Sequence, residues 1–406
     1  MKLIRVSSRE MEKIVNRVYR RGKRIEKNVA KIISDVRNLG DDGITKYTRK
    51  FDKVKLQPKH FRVTESEISG AYQNIDPKFV ASLKEIIDNV ERFYRKKQRK
   101  SWRMRDEDGV VLGENIFPLK RVGVYIPAGT APLVSTVYMT VLPAKIAGVE
   151  EIVLVTPPNK EGFVDSHILV VASLLKVKEI YKIGGAQAIA ALAFGTKTVK
   201  KVDKIVGPGN VYVTEAKRQV FGYTDIDMLA GPSEVVIIAN KFTNPALVIA
   251  DLLAQSEHAG GLSFLVTTSK SLARLVRREV EKGFVILVNN LDEAVEVANI
   301  IAPEHLEILV KNPRNLVNKI RNAGCIFVGP YSPVAVGDYI AGPSHVLPTG
   351  GSARFFSALG VEDFIKTSHL IVYSKKALDK YKGLMETIAG IEGMTKHIES
   401  LKARNQ

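Results

Sequence analysis

Cysteine is almost absent from this sequence, and long apolar runs are missing altogether. The single cysteine, Cys325, excludes an intramolecular disulfide framework and favours a reducing compartment. No segment approaches the roughly 18–20 uninterrupted apolar residues that a membrane-spanning helix needs. The first ten residues also lack the apolar core of a secretory signal. These absences predict a cytoplasmic protein that makes no membrane contact.

Acidic residues are outnumbered by basic ones, 43 to 61, which gives a formal net charge of +18. The excess is densest in residues 17–31 and 92–105, where apolar residues recur at helical spacing. No zinc finger, RNA-recognition signature or aromatic-rich basic loop accompanies these segments. We therefore expect solvated basic faces and no nucleic-acid binding. A basic nucleic-acid-binding protein is kept as the non-enzyme alternative.

The length and patterning of the chain predict an α/β protein. At 406 residues the chain is too long for one ordinary core, so two domains with smaller appendages are expected. Helical periodicity covers residues 9–37, 76–100 and 378–402. From residue 122 onward, short apolar strands alternate with helices, as in parallel, doubly wound sheets. The predicted fold is therefore two Rossmann-like, doubly wound domains with helical N- and C-terminal extensions.

Histidine is scarce, with seven in the chain, and two of the seven stand in suggestive contexts. Gln255 and His258 close a predicted helix at i and i+3, so both side chains leave one face, which suits a cation such as zinc. The alternative is an ordinary helix-end histidine. Glu304 and His305 pair a carboxylate with an imidazole between a helix and a strand, where general bases are often found. The alternative here is a loop salt bridge.

Further candidates lie in a long segment rich in Gly, Pro and Ser at 328–358 and in the C-terminal tail. Asp338 offers a hard oxygen ligand, and His345 either contacts a substrate or only makes hydrogen bonds within the loop. Glu392 and His397 place another carboxylate and imidazole in the tail, although a tail histidine is usually just solvated. The remaining histidines, for which we expect no chemical role, are His60, His167 and His369.

Two glycine-containing turns follow predicted strands and precede predicted helices. They are Gly184-Gly185-Ala186-Gln187 and Gly207-Pro208-Gly209-Asn210. Such turns can cradle phosphate at a helix N-terminus. Because the dinucleotide fingerprint G-x-G-x-x-G appears nowhere in the chain, each turn is only a weak indication of a nucleotide.

Taken together and in order, these motifs resemble the histidinol dehydrogenase family over nearly the whole chain. The matching segments are 124–127, 183–192, 207–210 with 214–217, 226–234, 251–258, 302–307, 337–339 and 345–349. The resemblance implies NAD-dependent oxidation of L-histidinol to L-histidine through the aldehyde, with two NAD⁺ consumed. The enzyme-class alternative is a paralogue that oxidises another polar alcohol.

The same resemblance implies roles for individual residues. His305 would take the hydroxyl proton, and Glu304 would activate the water that attacks the aldehyde. The implied ligands of one Zn²⁺ per subunit are Gln255, His258, Asp338 and His397. The implied substrate contacts are Ser233, Gln255, His258, His305, Asp338, His345, Glu392 and His397, and the implied NAD contacts are Tyr125, Gln187 and Asn210.

The resemblance also implies a homodimer with shared active sites and a division of the chain. Residues 1–30 would form an N-terminal helical extension. Residues 31–122 and 232–370 would form the domain that carries the metal site, and residues 123–231 would bind NAD. Residues 371–406 would be a tail that crosses to the partner subunit. Cys325 lies in an apolar, strand-like context, so we expect a buried structural thiol and no covalent thiohemiacetal.

Overall fold

The computed structural model describes residues 1–17, 22–128, 131–258 and 260–405. The strands are β1 Lys2–Ile4, β2 Trp102–Arg105, β3 Val111–Pro118, β4 Arg121–Tyr125, β5 Glu151–Thr156, β6 Glu179–Lys182, β7 Lys204–Val206, β8 Asp225–Ile226, β9 Glu234–Ala239, β10 Leu262–Thr267, β11 Phe284–Leu287, β12 His305–Leu309, β13 Cys325–Val328 and β14 Ile365–Val372. The helices are α1 Arg9–Val15, α2 Lys23–Leu39, α3 Asp41–Phe51, α4 Glu65–Ala71, α5 Pro77–Arg95, α6 Val134–Ala147, α7 Ser166–Leu174, α8 Gly185–Phe194, α9 Val211–Val220, α10 Pro245–Gln255, α11 Lys270–Glu279, α12 Leu291–Ile301, α13 Arg314–Val317, α14 Val334–Tyr339, α15 Lys375–Ile391 and α16 Thr395–Lys402.

Two parallel sheets form the centre of the larger structural unit, residues 1–97 with 119–364. The five-stranded sheet has the order β6-β5-β4-β7-β8, and the six-stranded sheet has the order β1-β11-β10-β9-β12-β13. From β4 in one sheet and from β9 in the other, the chain adds the next two strands on one side. It then returns to the other side of β4 or β9 for the two strands that follow. The order therefore reverses beside β4 in one sheet and beside β9 in the other. This arrangement confirms the predicted α/β, doubly wound fold class.

The strands of both sheets are buried because their residues are apolar on both faces. Every residue of β4 and of β9 is buried. Continuous burial of this kind is expected when helices cover both sides of a parallel sheet. Within the described part of the chain, none of the helices is long and apolar enough to cross a membrane.

The N-terminal third packs differently from the predicted division. Val29, Ile32 and Val36 of α2 lie in one core cluster with Tyr125 and Val153 of the five-stranded sheet. Residues 31–97, which we assigned with the metal-site domain, thus cover the sheet assigned to NAD. Helical periodicity shows that one face of α2 is buried but carries no information about which sheet buries it.

The predicted helical N-terminal extension also differs in detail. It begins with a strand, since Leu3 pairs in parallel with Val285 of β11. The continuous helix predicted over 9–37 is divided into α1 and α2, and residues 18–21 lie outside the described residues. Gly40, at φ +59, separates α2 from α3, as glycine often does at the C-terminus of a helix.

The second structural unit, residues 98–118 with 365–406, has a small antiparallel sheet of order β14-β3-β2. His369, for which we expected no chemical role, stands inside β14, opposite Glu114 of β3. These two strands are separated by about half the chain, and local sequence gives little signal for such a pairing. The predicted C-terminal helical tail corresponds to α15 and α16.

Candidate active site

Glu304 and His305 lie at the amino end of β12, beside the amino end of β9. His305 is opposite Val235 in the parallel register. The main chain of Glu234 contacts both side chains: its N–H donates to Glu304 Oε2 at 2.9 Å, and its carbonyl oxygen lies 3.0 Å from His305 Nδ1. A single rigid residue thus sets the positions of the carboxylate and the imidazole.

Glu234 is itself held firmly. Its carboxylate accepts a hydrogen bond from Arg17 Nη2 at 2.7 Å, and the same nitrogen donates to the carbonyl oxygen of Ile301 at 2.8 Å. The Arg17 and Glu234 side chains are only 9% and 2% exposed, so solvent competes little with this ion pair. Arg17 therefore ties α1 and α12 to the strand end that positions the pair.

Burial and neighbouring charge set the electrostatics of the pair. Burial raises the pKa of Glu304 to about 7, although the charge of His305 and hydrogen bonds from Ser233 and Glu234 oppose this shift. Burial lowers the pKa of His305, but the carboxylates of Glu304 and Asp338 outweigh it and raise that pKa to about 9. The pKa of Glu304 thus lies near neutral pH, whereas His305 keeps its proton at neutral pH and becomes a free base as the pH rises through about 9.

The outer ring nitrogen of His305 faces the long segment predicted to be functional. His305 Nε2 is buried without a hydrogen-bond partner and lies 3.7 Å from Asp338 Oδ1. Asp338 is on α14, a short helix within the segment that the sequence presented as a loop. His345 follows, with Nδ1 3.0 Å from the carbonyl oxygen of Asp338 and Nε2 3.3 Å from Thr136 Oγ1. Burial lowers the pKa of His345, which favours its neutral form.

Gln255 and His258 bring α10 to the same region. Gln255 is the last residue of α10, 4% exposed, and its Nε2 is buried without a partner. His258 is exposed just beyond the helix end and, like His305, interacts electrostatically with His345. The amide oxygen of Gln255, an imidazole nitrogen of His258 and the carboxylate of Asp338 are donors that suit a borderline cation.

Two predicted site residues belong to the second structural unit. Glu392 caps the C-terminus of α15 and His397 lies on α16, and both are exposed. Across the described residues, no three His, Cys, Asp or Glu side chains form a group that could hold a metal ion. The unit that carries Glu304 and His305 thus contributes Gln255, His258 and Asp338 from the predicted ligand set.

A cavity of about 760 Å³ opens at the carboxyl edge of the five-stranded sheet. The residues predicted to contact NAD, Tyr125, Gln187 and Asn210, all line it. Parallel sheets bind nucleotides at this edge, where the strand order reverses. The cavity is lined by Ile32, Phe51, Asp52, Tyr125, Pro127, Ala128, Ala131, Leu133, Pro157, Gly185, Ala186, Gln187, Asn210 and Tyr212.

The two glycine-containing turns bring main chain close to this cavity. Gly185 has φ +62, and its N–H donates to the Tyr125 hydroxyl at 3.1 Å. Gly207 has φ +111, and a Cβ there would lie 2.2 Å from the carbonyl oxygen of Tyr125. Gln187 is 1% exposed, and neither of its amide atoms has a partner. Asn210 caps α9 by accepting the N–H of Tyr212 at 3.0 Å, which leaves its amide hydrogens for a ligand.

The sequence did not single out a buried acidic pair next to the site. Glu307 of β12 is fully buried, and its Oε1 accepts the N–H of Val334 at 3.1 Å. Its other oxygen, Oε2, receives no hydrogen bond from an N–H or hydroxyl donor. The Glu307 side chain also interacts with the carboxyl group of Asp251 on α10. The sequence contained an indication of Glu307, because this acidic residue interrupts the apolar residues of its strand. Nothing in the sequence indicated Glu234, because it contacts Glu304 and His305 through its main chain.

Cys325 lies in β13, as predicted, and is partly buried. Burial raises the pKa of its thiol to about 11. A thiol with this pKa is not a nucleophile at neutral pH.

A family model described as Histidinol dehydrogenase matches residues 15–405. A histidinol dehydrogenase from Clostridium acetobutylicum is 47% identical over 399 residues, covering 94% of this chain and 92% of the relative. Another, from Caldanaerobacter subterraneus, is 46% identical over 411 residues, covering 97% and 95%. The crystal structure of a histidinol dehydrogenase from Elizabethkingia anophelis matches with a TM-score of 0.94 at 33% identity, covering 100% of this chain and 98% of that one.

Proposed function

This chain belongs to the histidinol dehydrogenase family of oxidoreductases, which oxidises histidinol in histidine biosynthesis, and we propose that it works as a cytoplasmic homodimer converting L-histidinol to L-histidine in two NAD-linked steps. In the first step the carbinol carbon transfers a hydride to NAD⁺ and the hydroxyl loses a proton. Water then adds to the aldehyde, and the hydrate transfers the second hydride. The balance is one alcohol, one water and two NAD⁺ for one carboxylate, two NADH and three protons.

The arrangement of His305 carries this proposal. Nδ1 is directed at the carbonyl of Glu234, so Nε2, which has no partner, is the nitrogen that accepts the hydroxyl proton. The carboxylates of Glu304 and Asp338 increase the basicity of that nitrogen. His305 performs this proton transfer in both hydride steps.

Glu304 is the base for the hydration step. Its carboxylate is fixed by the N–H of Glu234 and lies 3.5 Å from His305 Nδ1. Because burial raises its pKa to about 7, the carboxylate is basic enough to take a proton from water while still being ionised in a useful fraction. Ser233, which hydrogen-bonds Glu304, also contacts the substrate in this proposal.

The proposed zinc ligands are Gln255, His258 and Asp338, with His397 of the partner subunit. The chemistry of the donor set supports the fit, because an amide oxygen, imidazole nitrogens and a carboxylate oxygen are ligands that Zn²⁺ accepts. A bound Zn²⁺ supplies a positive centre that orients the imidazole and amino groups of the substrate. His345 lies next to Asp338 and completes the substrate pocket in one chain.

NAD, the oxidant that the family uses, is proposed to bind in the 760 Å³ cavity. Tyr125, Gln187 and Asn210 contact it there. The N-termini of α8 and α9 lie beside this cavity and provide main-chain N–H groups for the pyrophosphate.

The proposed dimer places the tail of one subunit at the active site of the other. Three apolar side chains of α15, Leu384, Ile388 and Ile391, are 66%, 57% and 80% exposed at helical spacing. An apolar stripe exposed on a single chain is typical of an interface. The tail also carries Glu392, whose carboxylate suits the ammonium group of histidinol, and His397.

The decisive experiment measures the NADH formed per alcohol consumed. With purified, zinc-loaded protein and limiting L-histidinol, two equivalents of NADH are expected. One equivalent would contradict the second oxidation, and no turnover of histidinol would overturn the proposal in favour of another polar alcohol.

A further inference from the structure

Asp52 is a cavity residue whose carboxylate lacks a partner. It follows the last residue of α3 as the C-cap, and it lines the cavity with Phe51 and Tyr125. Its Oδ2 is buried and makes no hydrogen bond. Burial alone raises the pKa of Asp52 to about 6. Its charge also acts on the Tyr125 hydroxyl, which belongs to the same lining.

This placement is unfavourable for folding alone. The C-terminus of a helix carries partial negative charge, so the cap of α3 disfavours a carboxylate. Desolvation without a compensating donor adds a further cost. Groups that persist in such positions are often completed by a ligand.

The cavity has a distinctive charge for so basic a chain. The chain contains 61 Lys and Arg residues, yet among the described residues that line the cavity there is none, and Asp52 is the single ionisable carboxylate. A ligand with neutral hydroxyl donors would pair with Asp52. A ligand with an additional phosphate would meet a carboxylate and no cation.

Building on the proposed function, we infer that Asp52 accepts hydrogen bonds from the adenosine ribose hydroxyls of NAD and makes the enzyme reject NADP. The orphaned Oδ2 supplies the acceptor, and Phe51 and Tyr212, 49% and 39% exposed on the cavity lining, provide aromatic surface for the adenine. The 2′-phosphate of NADP removes a donor hydroxyl and adds like charge beside Asp52. Both effects oppose its binding.

The test is direct binding of NAD, NADP and 2′-deoxy-NAD to the full chain by calorimetry, without histidinol. Asp52→Asn is expected to weaken NAD binding about tenfold, the usual effect of losing a charged hydrogen bond. The preference for NAD over NADP should fall by more than tenfold. Removing the 2′-hydroxyl should weaken binding to the wild type but hardly affect Asp52→Ala.

Asp42→Asn is the matched control, since it removes one exposed carboxylate from the same helix. Its three affinities should equal those of the wild type. Thermal unfolding separates binding from folding: Asp52→Asn should be at least as stable as the wild type, because it removes an unpaired, partly buried charge.

The inference is overturned if Asp52→Asn binds all three nucleotides as Asp42→Asn does. It is also overturned if the wild type binds NADP as tightly as NAD. A wild type that oxidises histidinol with NAD in either case leaves the proposed function standing. A wild type that neither binds NAD nor oxidises histidinol contradicts both.

Discussion

At the scale of single residues, the proposed catalytic pair depends on a backbone contact that no side-chain pattern reveals. Adjacent residues on a strand point to opposite faces, so Glu304 and His305 would diverge if both belonged to the ladder. Glu304 instead lies just before β12, and Glu234 contacts both side chains through its N–H and carbonyl. The sequence predicted the acid–base chemistry of the pair. It did not predict that the two side chains lie together, because this depends on the pairing of β9 with β12.

The division of labour within the pair predicts different outcomes for two substitutions. Glu304→Gln should still transfer the first hydride and lose most of the second oxidation, giving about one NADH per histidinol and accumulating aldehyde. His305→Asn should lose both steps by about 10²–10⁴-fold, the usual contribution of a general base. Single-turnover NADH yields with trapped aldehyde measure this, and equal loss of both steps in Glu304→Gln would refute the separate roles.

Protonation of Glu304 predicts the pH dependence of aldehyde oxidation. Because its pKa is raised to about 7, the carboxylate is protonated and inactive as a base below that pH and ionised above it. With aldehyde as the substrate, the rate should rise through about pH 7 as Glu304 ionises and rise further through about pH 9 as His305 loses its proton. The variant Glu304→Asp keeps a carboxylate, so it should retain the pH-dependent rise at a reduced rate.

At the scale of elements, Asp251 and Glu307 join three parts of the site. Glu307 lies on β12 two residues after His305, Asp251 lies on α10 one turn before Gln255, and Val334 begins the helix of Asp338. Each element is thus fixed close to the residue that it contributes. Two adjacent buried carboxyls can persist together only when they share a proton.

This shared proton predicts how stability varies with pH. Burial and the charge of Asp251 raise the pKa of Glu307 to about 8, so the folded state binds a proton that the unfolded state releases near its ordinary value of 4.5. The stabilisation is complete below the unfolded pKa and is lost as pH rises through about 8. Chemical denaturation between pH 5 and 9 should show this decline.

Two variants test the pair. Glu307→Gln keeps a donor for Asp251 and an acceptor for Val334, so it should fold with a much flatter dependence on pH. Glu307→Leu removes the acceptor and should cost about 1–3 kcal/mol. The same pH dependence in Glu307→Gln as in the wild type would show that another group titrates.

The elements also show where sequence information was sufficient. The turns at Gly184–Gly185 and Gly207–Gly209 were predictable, because glycine after a strand is a local signal for main chain that lies close to other groups. The pairing of β3 with β14 was not predictable, since the strands are brought together by the rest of the fold. The packing of α2 against the five-stranded sheet was equally hidden, because an amphipathic pattern specifies a buried face and no partner.

At the scale of the whole molecule, the two sheets of the larger unit repeat one strand order but present different edges to function. The cofactor-sized cavity lies at the carboxyl edge of the five-stranded sheet, whereas Glu304 and His305 lie at the amino edge of the six-stranded sheet. The usual rule for open α/β sheets therefore locates the cavity proposed for NAD but would not locate the proposed catalytic pair.

The proposed metal site predicts that His397 affects zinc as well as rate. His397→Asn should lower both the zinc content per subunit and the activity, since a ligand substitution typically weakens metal affinity by at least tenfold. Metal analysis after dialysis against a weak chelator measures the first effect, and His369→Asn is the control because that histidine lies exposed in β14. Full zinc and full activity in His397→Asn would refute the assignment.

If the tail completes the partner's site, then two chains that are each defective in histidine formation should rescue each other. A hybrid dimer of Glu304→Gln and His397→Asn has one site with both defects and one with neither, because Glu304 comes from one chain and His397 from the other. Random exchange makes half of the dimers hybrids, so about one quarter of all sites should become active. Mixing under conditions that exchange subunits, with exchange confirmed by mass spectrometry, should restore histidine formation to about a quarter of the wild-type rate. If hybrids form and the activity stays at the level of the separate variants, the two residues act within one chain.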